Sequence, residues 1–158
     1  PLVQGEDVFL AFSQAGRDLA DLHLNYEEVE PWPELEISHK SGFDSNLPGA
    51  FRVDKMRYAK KGKETDLTTV IYNSSITISG IPESAHEYRI GSRSAVDWIV
   101  DRYQIRTHKD SGIVNDPNNW ADEHHDPTYI FDLLCRIVTV SMKTNEIVAG
   151  LPKLDFKE

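Results

Sequence analysis

The sequence predicts an α+β fold in which a small antiparallel sheet packs against about three main helices, the C-terminal one long. Three observations carry this. Apolar residues recur at helical spacing near the start of the chain, after Ser94 and towards the end. Thr, Val, Ile and Tyr, which suit a pleated surface, concentrate between residues 51 and 79. Gly, Pro, Asn and Asp clusters separate these stretches. With 158 residues the chain can bury a real core but not comfortably two, so one domain over 1–158 is expected.

From Asp7 to about Leu24, the apolar residues Val8, Phe12, Ala15, Leu19 and Leu22 alternate in steps of four and three, which predicts an amphipathic helix. Glu27 to Gly49 is acidic and carries Pro31, Pro33 and Pro48, so an irregular surface segment is expected there. Phe51 to Tyr58 alternates apolar with polar and predicts a half-buried strand, with Phe51, Val53 and Lys55 against Arg52, Asp54 and Met56. A basic turn at Gly62 and the β-favouring run Leu67 to Ile78 complete an antiparallel pair, with Asn73-Ser-Ser75 splitting the second run.

Pro82 suits the first turn of a short helix through Tyr88. Ser94 and Asp97 form a capping-box pattern for a helix from about Ser94 to Gln104, with Ala95, Trp98, Ile99 and Tyr103 on its core face. Thr107 to His125 reads as a long polar loop. The last helix is expected to be capped by Asp126, opened by Pro127 and stopped by Gly150 and Pro152, with Phe131, Leu134, Ile137/Val138, Ser141 and Val148 apolar-facing. The β-branched run Ile137 to Val140 speaks for a strand, but the end signals outweigh it.

Seventeen Lys and Arg against 26 Asp and Glu leave a net charge of −9, the wrong sign for a free-standing nucleic-acid binder. The bases are nevertheless clustered, in Arg52, Lys55, Arg57, Lys60, Lys61 and Lys63 and again in Arg93, Arg102, Arg106, His108 and Lys109. Such runs are as often solvated faces as contact surfaces. The single cysteine, Cys135, lies in an apolar stretch and reads as a small buried hydrophobe; this usage suits a reducing cytoplasm. No apolar run is long enough to cross a bilayer. The chain starts at Pro1 without a signal-like segment, which suggests an excised piece.

Chemistry-bearing motifs are near misses. Asp126-Pro-Thr-Tyr129 differs by one residue from the Asp-Pro-Pro-Tyr string with which amino-methyltransferases hold a target amine, but it opens a helix and has no glycine-rich cofactor loop beside it. Glu123-His-His-Asp126 offers metal-capable side chains too close in sequence to surround one ion. No phosphate-binding loop, nucleophile elbow or Cys-x-x-Cys pair is present. A non-catalytic role is expected.

Several strings, convincing through their order and spacing, carry a family resemblance. They are Leu22-His-Leu-Asn-Tyr26, Ile76-Thr-Ile-Ser-Gly-Ile-Pro82, Ala85-His-Glu-Tyr88, Gly91-Ser-Arg-Ser-Ala95 with Trp98, Asp101-Arg-Tyr103, Lys109-Asp-Ser-Gly-Ile113, Asn115-Asp-Pro-Asn118 and Gly150-Leu-Pro152. From about Leu10 to Pro152 the chain resembles the C-terminal specificity region of Type ISP restriction-modification enzymes. The resemblance implies part of a target-recognition domain within a polypeptide that elsewhere carries a nuclease, an ATP-driven translocase and an adenine methyltransferase. ATP, Mg and S-adenosylmethionine would serve those parts, and this piece would need no cofactor. Its implied partners are double-stranded DNA and the methyltransferase of the same polypeptide. Expected DNA contacts are Arg57, Lys60, Lys61 and Lys63 as a phosphate-tracking edge, Arg93, and Lys109, Ser111, Asn115 and Asn118 in the polar loop. The competing expectation is a scaffold that docks on the methyltransferase without touching DNA, which an acidic surface would suit.

Overall fold

The computed structural model describes residues 5–153. In chain order it contains α1 (Glu6–Leu24), β1 (Glu36–His39), β2 (Arg57–Lys61), β3 (Glu64–Ile71), β4 (Ile76–Ser79), a 3₁₀ turn (Glu83–Glu87), β5 (Arg89–Ile90), β6 (Arg93–Ser94), α2 (Ala95–Arg102), β7 (Arg106–Thr107), β8 (Val114–Asn115), α3 (Asn118–Glu123) and α4 (Tyr129–Ala149). The α+β expectation holds. The main sheet is antiparallel throughout in the order β1-β4-β3-β2, and β5–β6 and β7–β8 are short separate hairpins. Among the described residues no helix is long and apolar enough to cross a membrane.

Because strand side chains alternate between faces, the register sorts the sheet into two rows. Ile37, Ile78, Val70 and Tyr58 share the core face, and Ser38, Thr77, Ile71 and Arg57 share the outer face. Val70, Ile76 and Ile78 are fully buried with Val96 and Val100 of α2 and with Ile130, Leu134, Cys135 and Val138 of α4. Burial pushes the Cys135 thiol up to about 12, so it stays protonated as the small hydrophobe expected. The β-branched run in α4 is tolerated because Val138, Thr139 and Val140 are all packed inside.

The β2–β3 pairing slips by three residues. Tyr58 faces Val70, but Ala59 faces Asp66, so Leu67, Thr68 and Thr69 lie opposite a single peptide bond. The bulge is anchored from the side: Ile81 N–H donates to the Thr68 carbonyl, and His86 Nε2 lies 3.0 Å from the Leu67 carbonyl.

Several sequence expectations need correction. The strand expected over Phe51 to Tyr58 begins only at Arg57. Its first part finds hydrogen bonds outside any ladder: Asn118 accepts from Val53 N–H (2.9 Å) and donates to Val53 C=O (2.7 Å), and the Asp54 carbonyl takes Ile105 N–H. Val53 and Met56 are therefore both buried, which strict alternation forbids. The segment expected to be irregular contains β1, and the polar loop after Thr107 folds into β7–β8 and α3. Ser94 and Asp97 do form both halves of the capping box of α2. Trp98, expected in the core, instead lies half-buried between two guanidiniums, Arg93 at 5.4 Å and Arg102 at 4.9 Å from its ring centre, while Val96 and Val100 face inward. The Asp126 side chain makes no cap; α4 starts at Tyr129 from Thr128, whose hydroxyl donates to Asp132 (2.7 Å). Val148, expected on the apolar face of α4, is exposed. In α1 only Leu22 is buried, and Phe9 and Leu10 are 59% and 51% exposed.

Two substitutions test this frame. Asn118→Ala strips partners from a buried N–H and a buried C=O, and should cost about 2–4 kcal/mol in chemical unfolding; an unchanged midpoint would show that the bracket is not needed. Gly80 has φ +78°, and a Cβ there would sit 2.3 Å from the Glu34 carbonyl oxygen. Gly80→Ala should therefore lower the thermal midpoint by roughly 4 °C or more, from about 1–2 kcal/mol of backbone strain plus the clash.

Candidate nucleic-acid interface

The cationic residues fall into two physical classes. Some arginines are held by acids. Asp101 binds Arg93 (2.8 Å) and Arg106 (2.7 Å), and burial, which would raise its pKa, is outweighed by these two guanidiniums, so its carboxyl lies below the usual range. Arg52 bonds Asp122 and Asp116, and its hydrogen bond to Asp122 above all raises its already high pKa. In contrast, Arg57, Lys60, Lys61, Lys63 and Lys109 are exposed, and none forms an ion pair among the described residues.

Lys60, Lys61 and Lys63 occupy the tip of the β2–β3 hairpin, beyond the bulge. Lys60 faces Thr65, Lys61 faces Glu64, and Gly62 turns the chain with φ +69°. Arg57 is separated from them: it precedes the bulge and lies on the outer row of the sheet. The expected four-residue edge is thus a three-lysine tip and one arginine on a different surface.

The β7–β8 hairpin brings Lys109, Ser111 and Asn115 together around a hollow of about 760 Å³, also lined by Arg106, His108 and Ile113. Its tip is closed by His108 N–H to the Ile113 carbonyl (2.8 Å) and Gly112 N–H to the His108 carbonyl (2.8 Å), with Gly112 at φ +68°. Ser111 Oγ lies 3.1 Å from His108 Nδ1. Asn118 does not join this set. It is 2% exposed and its amide is committed to Val53 and Asp116, so its place in the expected contacts is withdrawn. Arg93 is exposed but tied between Asp101 and the Trp98 ring.

Sequence reasoning missed a third surface. Over the outer face of the sheet lies a groove of about 950 Å³ whose floor includes Ser38, Thr77, Ile71 and Arg57, and whose walls include Lys40 and Lys55. Its visible signal was the short alternation Leu35-Glu-Ile-Ser38, hidden between prolines and acids. Lys55 reaches this place because its backbone bridges to Gln104, which also sets the first basic cluster beside the second. Among the described residues, no group of three His, Cys, Asp or Glu side chains could hold a metal ion; His124 instead stacks on Trp120 at 3.9 Å.

No curated protein matches the chain. Solved structures do match, among them the following three. A nuclease-deletion mutant of the Type ISP restriction-modification enzyme LlaGI, in complex with a DNA substrate mimic, is 42% identical with a TM-score of 0.80, over 100% of this chain and 14% of its own. The ATP-dependent Type ISP restriction-modification enzyme LlaBIII bound to DNA is 41% identical with a TM-score of 0.82, over 99% of this chain and 9% of its own. A DrdV–DNA complex is 28% identical with a TM-score of 0.70, over 94% and 15%. The chain thus spans between 9% and 15% of the length of these three proteins. The model of the Type ISP C-terminal specificity domain matches residues 1–133, and this chain belongs to that family.

Proposed function

We propose that this chain is the sequence-specific DNA recognition module of a restriction-modification enzyme and contributes no catalytic group of its own. The observation that carries the reading is that, in a chain of net charge −9, two hairpins present exposed lysines in no salt bridge among the described residues, Lys60, Lys61 and Lys63 on one and Lys109 on the other. Two-stranded ribbons are among the shapes the DNA major groove admits, and serine and asparagine can read base edges there. On β7–β8, Ser111 and Asn115 stand beside Lys109, so base reading and phosphate anchoring share one element. The three lysines of the β2–β3 tip add charge without sequence preference. Support also comes from the DNA-bound state of the similar LlaGI, LlaBIII and DrdV structures. The near-miss Asp126-Pro-Thr-Tyr129 string is spent on the start of α4, with Tyr129 OH donating to Glu27 (2.7 Å). Nuclease, ATP-driven translocase and adenine methyltransferase activities, with their ATP, Mg and S-adenosylmethionine, would reside in other parts of such an enzyme.

A second reading rests on α1. Its exposed Phe9 and Leu10 suit a helix that packs on the methyltransferase part of the same polypeptide, and a scaffold of that kind would leave DNA to other elements.

The two readings differ in measurable ways. Lys60→Ala/Lys61→Ala should lower the log-log salt slope of duplex binding by roughly 0.9 per lost contact, with equal losses on specific and random DNA. Ser111→Ala/Asn115→Ala should leave the slope nearly unchanged and relax the preferred sequence at one or two base pairs, by about 1–3 kcal/mol each, in selection from a random duplex library. A scaffold predicts no change in either.

A further inference from the structure

We infer that the groove over the outer face of the sheet seats the phosphodiester backbone of one DNA strand, with Lys40, Lys55 and Arg57 as its phosphate ligands. The inference rests on the DNA-recognition reading above and assigns a site within it.

The groove lining carries four cations, Lys40, Arg52, Lys55 and Arg57, against two carboxylates, Asp44 and Asp54. Arg52 is already bound to Asp116 and Asp122, and Asp44 is engaged by its own turn, accepting from the Asn46 backbone and side-chain N–H groups at 2.9 and 3.0 Å. Lys40, Lys55 and Arg57 form no ion pair among the described residues. A chain that is acidic overall thus lines this concavity with a local excess of positive charge, three cations outside any ion pair against two carboxylates.

Shape then selects what can enter. Base edges lie at the bottom of DNA grooves and are reached by protruding elements, whereas the sugar-phosphate strand is the ridge of the duplex and fits a concave surface. This groove is concave, floored by a sheet that cannot project. Its polar groups match as well: the hydroxyls of Thr77 and Ser74 can donate to phosphate oxygens, while that of Ser38 donates to the Thr77 carbonyl. Asn73, which also borders the groove, is excluded as a base reader. Its amide donates to the Ala50 and Arg52 carbonyls, and its oxygen accepts from Ser75 and Ile76 N–H. Division of labour follows, with backbone seated in the groove and base edges left to the hairpins.

The test uses the intact restriction-modification polypeptide that carries this domain and a fluorescein-labelled random-sequence duplex, with anisotropy measured across a salt series. Lys55→Ala/Arg57→Ala should weaken binding at least about tenfold and lower the salt slope by roughly 1.8, two contacts at about 0.9 each. Arg17→Ala/Lys143→Ala, on exposed faces of α1 and α4 and equal in charge change, should leave the slope within error of wild type. Thr77→Trp fills the floor without altering charge and should weaken binding as well, with circular dichroism and thermal melting confirming the fold; if it unfolds, the lysine-arginine pair decides alone. Equal losses in the groove pair and the remote pair overturn the groove. Duplex binding by the intact enzyme that none of these substitutions alters, Lys60→Ala/Lys61→Ala and Ser111→Ala/Asn115→Ala included, overturns the DNA-recognition reading together with it. Binding that responds to Lys60→Ala/Lys61→Ala but not to Lys55→Ala/Arg57→Ala leaves the reading standing and removes only the groove.

Discussion

Ala50 to Asp54 belong to no strand, yet the rest of the molecule is arranged around how their backbone is held. Asn73 donates to the Ala50 and Arg52 carbonyls, Tyr72 OH to the Phe51 carbonyl (2.6 Å), Asn118 brackets Val53, and Ile105 N–H meets Asp54. Three parts of the chain thereby meet on one short segment: the β3–β4 turn, the start of α3 and the segment after α2. Unpaired buried backbone groups are costly, so each side chain in this set is fixed by what it would leave behind. With the segment in place, Val53 and Met56 fill the core while Arg52 and Lys55 face outward, and one wall of the groove exists.

Acid placement sorts the positive charge. Asp101 and the Asp116–Asp122 pair immobilise arginines that fasten α2 to its flanking hairpins and α3 to the Ala50–Asp54 segment. Such exposed pairs add little stability individually, but they fix side-chain positions. The lysines form no salt bridge among the described residues, although Lys61 faces Glu64 across its hairpin. Net charge therefore misleads at the scale of the whole chain, because what an anionic partner meets is the local remainder after internal pairing.

Helices and the β3–β4 turn were legible in the sequence because their signals are local: the 4-3 spacing of α1, the Ser94–Asp97 box and the apolar density of α4 each lie within a few turns. The path of the chain at Phe51 was not: its alternation predicts a strand, but its hydrogen-bond partners are side chains and backbone up to 65 residues away, and no strand forms there. Asn118 shows the same gap in the site. An asparagine in a polar run looks available to a ligand, and only the fold reveals that Val53 occupies it. Lys109, Ser111 and Asn115 were legible as a group because a ten-residue hairpin keeps near neighbours near. Lys55 and Arg57 fell within the first basic cluster, but Lys40 comes from a separate segment, so the three were invisible as a set.

The slip in the β2–β3 register mechanically separates two parts of one hairpin. Before it, the strands are tied to β4 and the core; after it, Ala59 to Asp66 pair only with each other, and the bulge between is clamped by Ile81 and His86. The outer arm is therefore a cantilever built on a fixed root. Matched pairs of residues could be added to or removed from it without changing which side chains face the core, because sheet alternation repeats every two residues. Arm length thereby sets how far the lysine tip reaches, while the scaffold beneath keeps its shape.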